Sequence, residues 1–143
     1  MASQLNTELI KGICQRIDDF EQLPIEYQKA CRVYCIEGFE DDNDFLNHMK
    51  NYHFLIAEVP VDLIKQRIME SDDGQEFKNI EDWKKWYQSY GHIPDHGDSR
   101  WPCILSACDN ECFEDGWHRF QSYLIKGYET IPVIAWQRND TVQ

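Results

Sequence analysis

The sequence lacks any run of the about 18 consecutive apolar residues that a membrane-crossing helix needs, which excludes such a span. Its first residues, MASQLNTELIKG, lack the basic start and apolar middle of a secretory signal. Both absences imply a soluble, cytoplasmic protein. Positive charge is scarce: 14 Lys and Arg stand against 26 Asp and Glu, a formal net charge of −12. Residues 1–53 hold ten acids and five bases, residues 54–98 again ten and five, and residues 99–143 six and four. The first two-thirds therefore repel a nucleic-acid backbone, which calls for a basic face, so direct DNA binding is not expected. The last third is close to neutral and tolerates an anionic small molecule. Cysteine is present six times, but the CxxC spacing of a zinc knuckle is missing. Without a secretory signal the thiols read as reduced. Internal repeats and low-complexity segments are absent.

What remains is a chain of 143 residues, enough for one domain that buries about two-thirds of its unfolded surface. Residues 7–22 place Leu9, Ile10, Ile13, Ile17 and Phe20 on one helical stripe, capped by Asn6 or Thr7 and ended by Pro24. Residues 25–37 read as a second helix with Cys31, Tyr34 and Cys35 on one side, stopped by Gly38. Residues 41–52 open with acids that suit a helix start. Residues 1–53 thus read as a helical N-terminal region. The pattern then changes. Residues 54–60 are a strand, 61–70 a helix, 71–75 a loop, 76–90 a helix, and 91–100 a loop rich in Gly and Pro. Residues 101–107 are a strand, 111–115 its hairpin partner, 117–126 a helix closed by Gly127, and 130–136 the last strand. The order β-α-α-β-β-α-β predicts an α/β (α+β) core with a small mixed sheet over 54–137, preceded by a three-helix extension and followed by a frayed tail at 138–143.

The densest chemistry is the string Asp115-Gly116-Trp117-His118-Arg119 between a strand and a helix. Such a junction aims backbone N–H groups outward at the helix start, where they and the helix dipole favour an anion. Gly116 lets the chain bend and a ligand approach. Arg119 can grip a phosphate with its planar fork. His118 can donate to the same anion or shuttle a proton. Asp115 could orient His118, hold a metal ion on a phosphate, or act as a base. The plainer alternative makes Asp115 an N-cap, Gly116 a turn residue and Arg119 the partner of Asp115.

The block "DGWHRFQSYLIKGYETIPVI" (115–134) resembles the core of the ParB/sulfiredoxin superfamily: a strand, a Gly-x-His-Arg or Gly-x-Arg-Arg turn, a helix ending in Gly, and a strand beginning Ile/Val-Pro-Val. "AEVPVDLIKQ" (57–66) and "WPCIL" (101–105) resemble its earlier strands and helix. The resemblance implies nucleotide or phosphate binding, with Gly116, His118 and Arg119 on the phosphates and Asp115 beside them. ATP or CTP with Mg2+ would be the cofactor. Sulfiredoxins carry their catalytic cysteine where this chain has Trp117, which argues against reductase chemistry; Trp117 would stack on a base or plug the pocket. DNA-clamp relatives carry an Arg-Arg turn, a helix-turn-helix and a basic surface, which this chain lacks. Kinase-type relatives use a histidine turn with a carboxylate elsewhere, for which Glu58 and Asp62 are placed by position.

Other groupings read more plainly. His92 and His96 stand four apart with Asp95 and Asp98, but Pro94 and Gly97 argue against a helical zinc site, and no metal is assigned. That loop could instead lie over the 115–119 turn and lend His96, Asp98 or Arg100. Cys103, Cys108 and Cys112 read as core or half-buried thiols. Trp83, Trp86, Tyr87 and Tyr90 read as packing. "EGFEDDND" (37–44) reads as a loop and helix start, or more sharply as a phosphate mimic that occupies a nucleic-acid-binding partner. Two functions follow. The first is a nucleotide- or phosphate-binding domain, a phosphotransferase or phosphohydrolase, with Asp115 and His118 catalytic and Gly116, Trp117, His118, Arg119 and Arg100 on the nucleotide. The second is a non-enzymatic acidic inhibitor of the phage or plasmid anti-defence kind (anti-CRISPR-like), which docks on a basic nucleic-acid-handling protein.

Overall fold

The computed structural model describes residues 4–75, 78–88, 100–108 and 110–139. Before the central sheet come α1 (Gln4–Ile10), the short strand β1 (Gln15–Ile17), a 3-10 turn at Phe20–Gln22, α2 (Ile25–Cys35), a second 3-10 turn at Ile36–Gly38, and α3 (Asp42–Met49). Then follow β2 (Tyr52–Pro60), α4 (Val61–Glu70), α5 (Asp72–Gln75), α6 (Ile80–Gln88), β3 (Cys103–Leu105), β4 (Phe113–Asp115), α7 (Trp117–Lys126) and β5 (Thr130–Arg138). The strands form one mixed sheet in the order β1-β2-β5-β3-β4. Only the β3–β5 pair is parallel among these neighbours. The α+β class expected from the element order is therefore the class observed. Among the described residues no helix is long and apolar enough to cross a membrane.

Three helices do precede β2, but the helix expected over 7–22 stops at Ile10. The reason is Gly12, whose φ of +86° is left-handed and ends the helical path. The chain then pairs as an edge strand, Gln15 opposite Ile56 and Ile17 opposite Phe54. The apolar stripe read as one helical face is split between the two faces of the sheet. Leu9 and Ile10 join one core, Ile17 and Phe20 the other, and Ile13 is half exposed. The loop expected over 71–75 contains the short α5, and the last strand reaches Arg138.

The sheet divides the core in two because strand side chains alternate. Ala57, Val59, Ile131 and Val133 face α1, α4 and α7, with Ile64, Ile68 and Phe120 filling that layer. Phe54, Ile104 and Ile134 face α2 and α3, with Phe20, Phe45 and Met49 opposite. Residues Ile131–Ala135 are all buried, as befits a central strand covered on both faces. Each fully buried side chain of the Phe54 or Phe120 kind contributes about 1.5–3 kcal/mol.

A polar network pins α1 to this core. Asn6 is fully buried; its amide donates to the carbonyls of Ser106 and Glu111, both at 3.0 Å. Its oxygen accepts from Arg67 Nε at 2.8 Å, and Arg67 Nη2 donates to the Glu111 carbonyl at 3.3 Å. Register then gathers the candidate residues at one end of the sheet. Pro60 lies opposite Thr130, Cys103 opposite Val133, and Ile104 opposite Asp115. The end of β2, the starts of β3 and β5, the end of β4 and the start of α7 therefore meet.

Candidate functional site

The junction forms as its sequence implies. Asp115 ends β4, Gly116 adopts φ 110° and ψ 12°, and α7 begins at Trp117. A Cβ on Gly116 would lie 2.9 Å from Cys103 Cα and 3.0 Å from its Cβ and Sγ. Both the left-handed backbone and this close approach require glycine here. The approach is to strand β3, so glycine serves the packing of the turn directly. The Cys103 thiol donates to the Gly116 carbonyl at 3.5 Å, and Phe120 N–H donates to the same carbonyl at 2.8 Å. Trp117 packs edge-on against Phe113, with ring centroids 4.9 Å apart, and lies half-buried on the core. His118 is exposed on the first helical turn.

Arg119 turns inward and is only 7% exposed. Its Nη1 donates to the Pro102 carbonyl at 2.6 Å, and its Nη2 lies 3.8 Å from Asp115 Oδ2. The guanidinium carbon sits 5.6 Å from the centre of the Trp101 ring. Asp115 is thus the ion-pair partner of Arg119, and the N-cap position belongs to Gly116 without a side-chain cap. Arg100 comes from the segment just before β3. It donates to Glu58 Oε1 at 2.7 Å and to the Thr130 carbonyl at 2.6 Å, and lies 4.7 Å from the Tyr128 ring centre and 5.9 Å from that of Tyr123. Tyr123 in turn donates to the Trp101 carbonyl at 2.5 Å. Both Nε atoms, of Arg100 and of Arg119, are buried and find no hydrogen-bond acceptor among the described residues.

Thus Arg100, Asp115, Gly116, Trp117, His118 and Arg119 share one end of the sheet. Glu58 joins them through Arg100, while Asp62 is exposed on the first turn of α4. His92, Asp95, His96 and Asp98 lie outside the described residues, as does Tyr90. Of the expected aromatic stripe, Ile80 packs on the core but Trp86 is 46% exposed. Cys103 and Cys112 are buried and Cys108 is exposed.

Sequence reasoning missed the part played by α2. Tyr27, Cys31 and Tyr34 recur at helical spacing and lie over this end. Burial, and then the Glu58 carboxylate, push the Tyr27 hydroxyl up to about 12, partly offset by Arg100. Burial and then Glu114 raise the Tyr34 hydroxyl. Burial pushes the Cys31 thiol up to about 12 against the opposing pull of the Trp136 indole and Arg119, and the Cys103 thiol likewise to about 12. At neutral pH these thiols are protonated packing groups, not nucleophiles. The 27-31-34 spacing was the available signal; what it covers is set by the tertiary fold.

No protein-family model, no curated protein and no solved structure matches the chain.

Proposed function

We propose that the end of the sheet around Gly116 and Arg119 binds the phosphate groups of a nucleotide, ATP or CTP. The observation that carries this reading is the pair of buried guanidinium Nε atoms, on Arg100 and Arg119, that find no acceptor among the described residues beside a glycine-opened helix start. A buried donor without an acceptor costs about 1–3 kcal/mol, which an anionic oxygen would recover. The ParB/sulfiredoxin resemblance of residues 115–134 supports the reading from the sequence side. Phosphate oxygens would compete with Asp115 and Glu58 for the two arginines. Their carboxylate oxygens are the donor type that Mg2+ accepts, so a nucleotide's Mg2+ would be held by Asp115 or Glu58. In the catalytic form of this reading, a phosphotransferase or phosphohydrolase, Asp115 takes a proton and exposed His118 supplies one.

A thermal-shift titration with ATP, CTP and pyrophosphate, with and without Mg2+, tests it. Binding to the native state raises the melting temperature by mass action. Arg100→Ala should abolish the ligand-induced rise while leaving the unliganded melting temperature within a few degrees, because Arg100 is one-third exposed. No rise with any of these ligands would sink the proposal. The acidic partner-binding reading is favoured by a separate observation: Glu37, Glu40, Asp41, Asp42 and Asp44 are all exposed around the start of α3.

A further inference from the structure

Helix α3 is flanked by two grooves on the face of the sheet away from α7. One, of about 480 Å3, has Phe20, Leu46 and Met49 among its walls, and Asp18, Asp19 and Glu21 also line it, opposite Lys50. The other, of about 250 Å3, is walled by Phe39 and Phe45, with Glu40, Asp41 and Asp42 beside Arg32. Six carboxylates thus face two cations over aromatic and aliphatic walls. Arg32, which lines the second groove, already shows which cation suits the aromatic walls, through one ring of each groove. The Arg32 guanidinium carbon lies 5.2 Å from the Phe20 ring centre and 5.8 Å from that of Phe45. The same guanidinium donates to Asp42 at 2.9 Å and 3.4 Å, a forked contact with one carboxylate. Aromatic faces attract cations, and the planar guanidinium suits a ring and a carboxylate together better than a compact ammonium does.

We propose that the α3 face docks an arginine-bearing segment of a partner protein, whose guanidinium groups enter the two grooves beside Phe39, Phe45 and Phe20. This rests on the acidic partner-binding reading and is independent of the nucleotide reading. Charge complementarity selects the occupant: the surplus of carboxylates repels a nucleic acid and attracts a basic segment, and the apolar walls accept the aliphatic stems of its side chains.

The test is fluorescence anisotropy of the intact protein with labelled nona-arginine and nona-lysine peptides at low and high salt. Nona-arginine should bind at least about fivefold more tightly than nona-lysine. Charge reversal at Glu21→Lys with Glu40→Lys should weaken nona-arginine binding about tenfold or more. The same charge change at Asp62→Lys with Glu70→Lys, on α4 across the sheet, should weaken it no more than about twofold. Phe39→Ala should remove the preference for arginine over lysine. Equal loss in both double variants would mean diffuse attraction to a polyanion and would overturn the proposal. So would equal affinity for the two peptides. Salt-sensitive dimerisation of the chain, lost in the groove variant and seen by sedimentation, would assign the face to a second copy and overturn it as well. Nucleotide-induced melting shifts in the same variants report separately on the Gly116–Arg119 end.

Discussion

Arg67 and Arg119 are both buried, at 3% and 7% exposure, yet they end in different company. Arg67 sits between α1, α4 and the β3–β4 hairpin, where it bonds to the Asn6 amide oxygen and the Glu111 carbonyl. Asn6 itself is saturated by two further carbonyls. Arg119 meets one carbonyl at close range and the Asp115 carboxylate at 3.8 Å. The Asp115 side chain opposite it is 37% exposed, so the carboxylate of the pair is open to solvent. A guanidinium tied to neutral acceptors deep in the core holds the fold together. One paired with a carboxylate at a rim can exchange that partner for an anion. Burial alone does not separate these roles; the acceptors do.

High pH should strike the Arg119 side hardest. Cys31 and Cys103, both facing that guanidinium, are raised from 9.0 to about 12 by burial. Stability from their protonated state is complete below about pH 9 and is lost as pH rises through 12, at up to about 1.4 kcal/mol per pH unit for each thiol. Urea denaturation at a series of alkaline pH values should show this fall, and replacing both thiols with alanine should flatten it. Arg67→Ala comes next, with a loss of about 3 kcal/mol because the Asn6 oxygen and the Glu111 carbonyl lose their donor. Arg67→Lys should recover little, since an ammonium lacks the fork. Gly116→Ala should cost about 2 kcal/mol or more, from the left-handed backbone and the Cys103 contact, and should weaken nucleotide binding as well. Asp115→Asn should have the smallest effect on stability, under about 1 kcal/mol for a partly exposed pair. It frees Arg119, so a phosphate anion without Mg2+ should bind about threefold or more tightly, read by isothermal titration. Unchanged phosphate affinity in this variant would place Arg119 with Arg67 as a structural arginine.

Much of the fold from residue 54 onward was legible. β2, α4, α7 and β5 carry strong periodicity and clear punctuation: Pro60, Gly116 and Gly127. α7 spans the residues its pattern implies, Trp117–Lys126, and Gly127 closes it at φ +79°. The N-terminal region was harder to read. Leu9, Ile10, Ile13, Ile17 and Phe20 satisfy a helical spacing, but Gly12 breaks the helix and the residues beyond it serve the opposite face of the sheet. Asn6 looked like a helix cap and is instead a buried hub. These are tertiary overrides of local pattern.

At the candidate site the residue types were legible and their partners were not. Asp115, Gly116, His118 and Arg119 announce themselves as a strand-turn-helix string. That Arg100 comes from a separate segment to pair with Glu58 depends on the end of β2 meeting the starts of β3 and β5. That α2 lays Tyr27, Cys31 and Tyr34 over this edge depends on the second core around Phe54 and Ile134. The sequence by itself determined the class of fold, the glycine-opened turn and the acidic charge, because these follow from local spacing and composition. Only the tertiary structure decided which acceptors each buried arginine meets, because a partner distant in the chain leaves no mark on the local pattern.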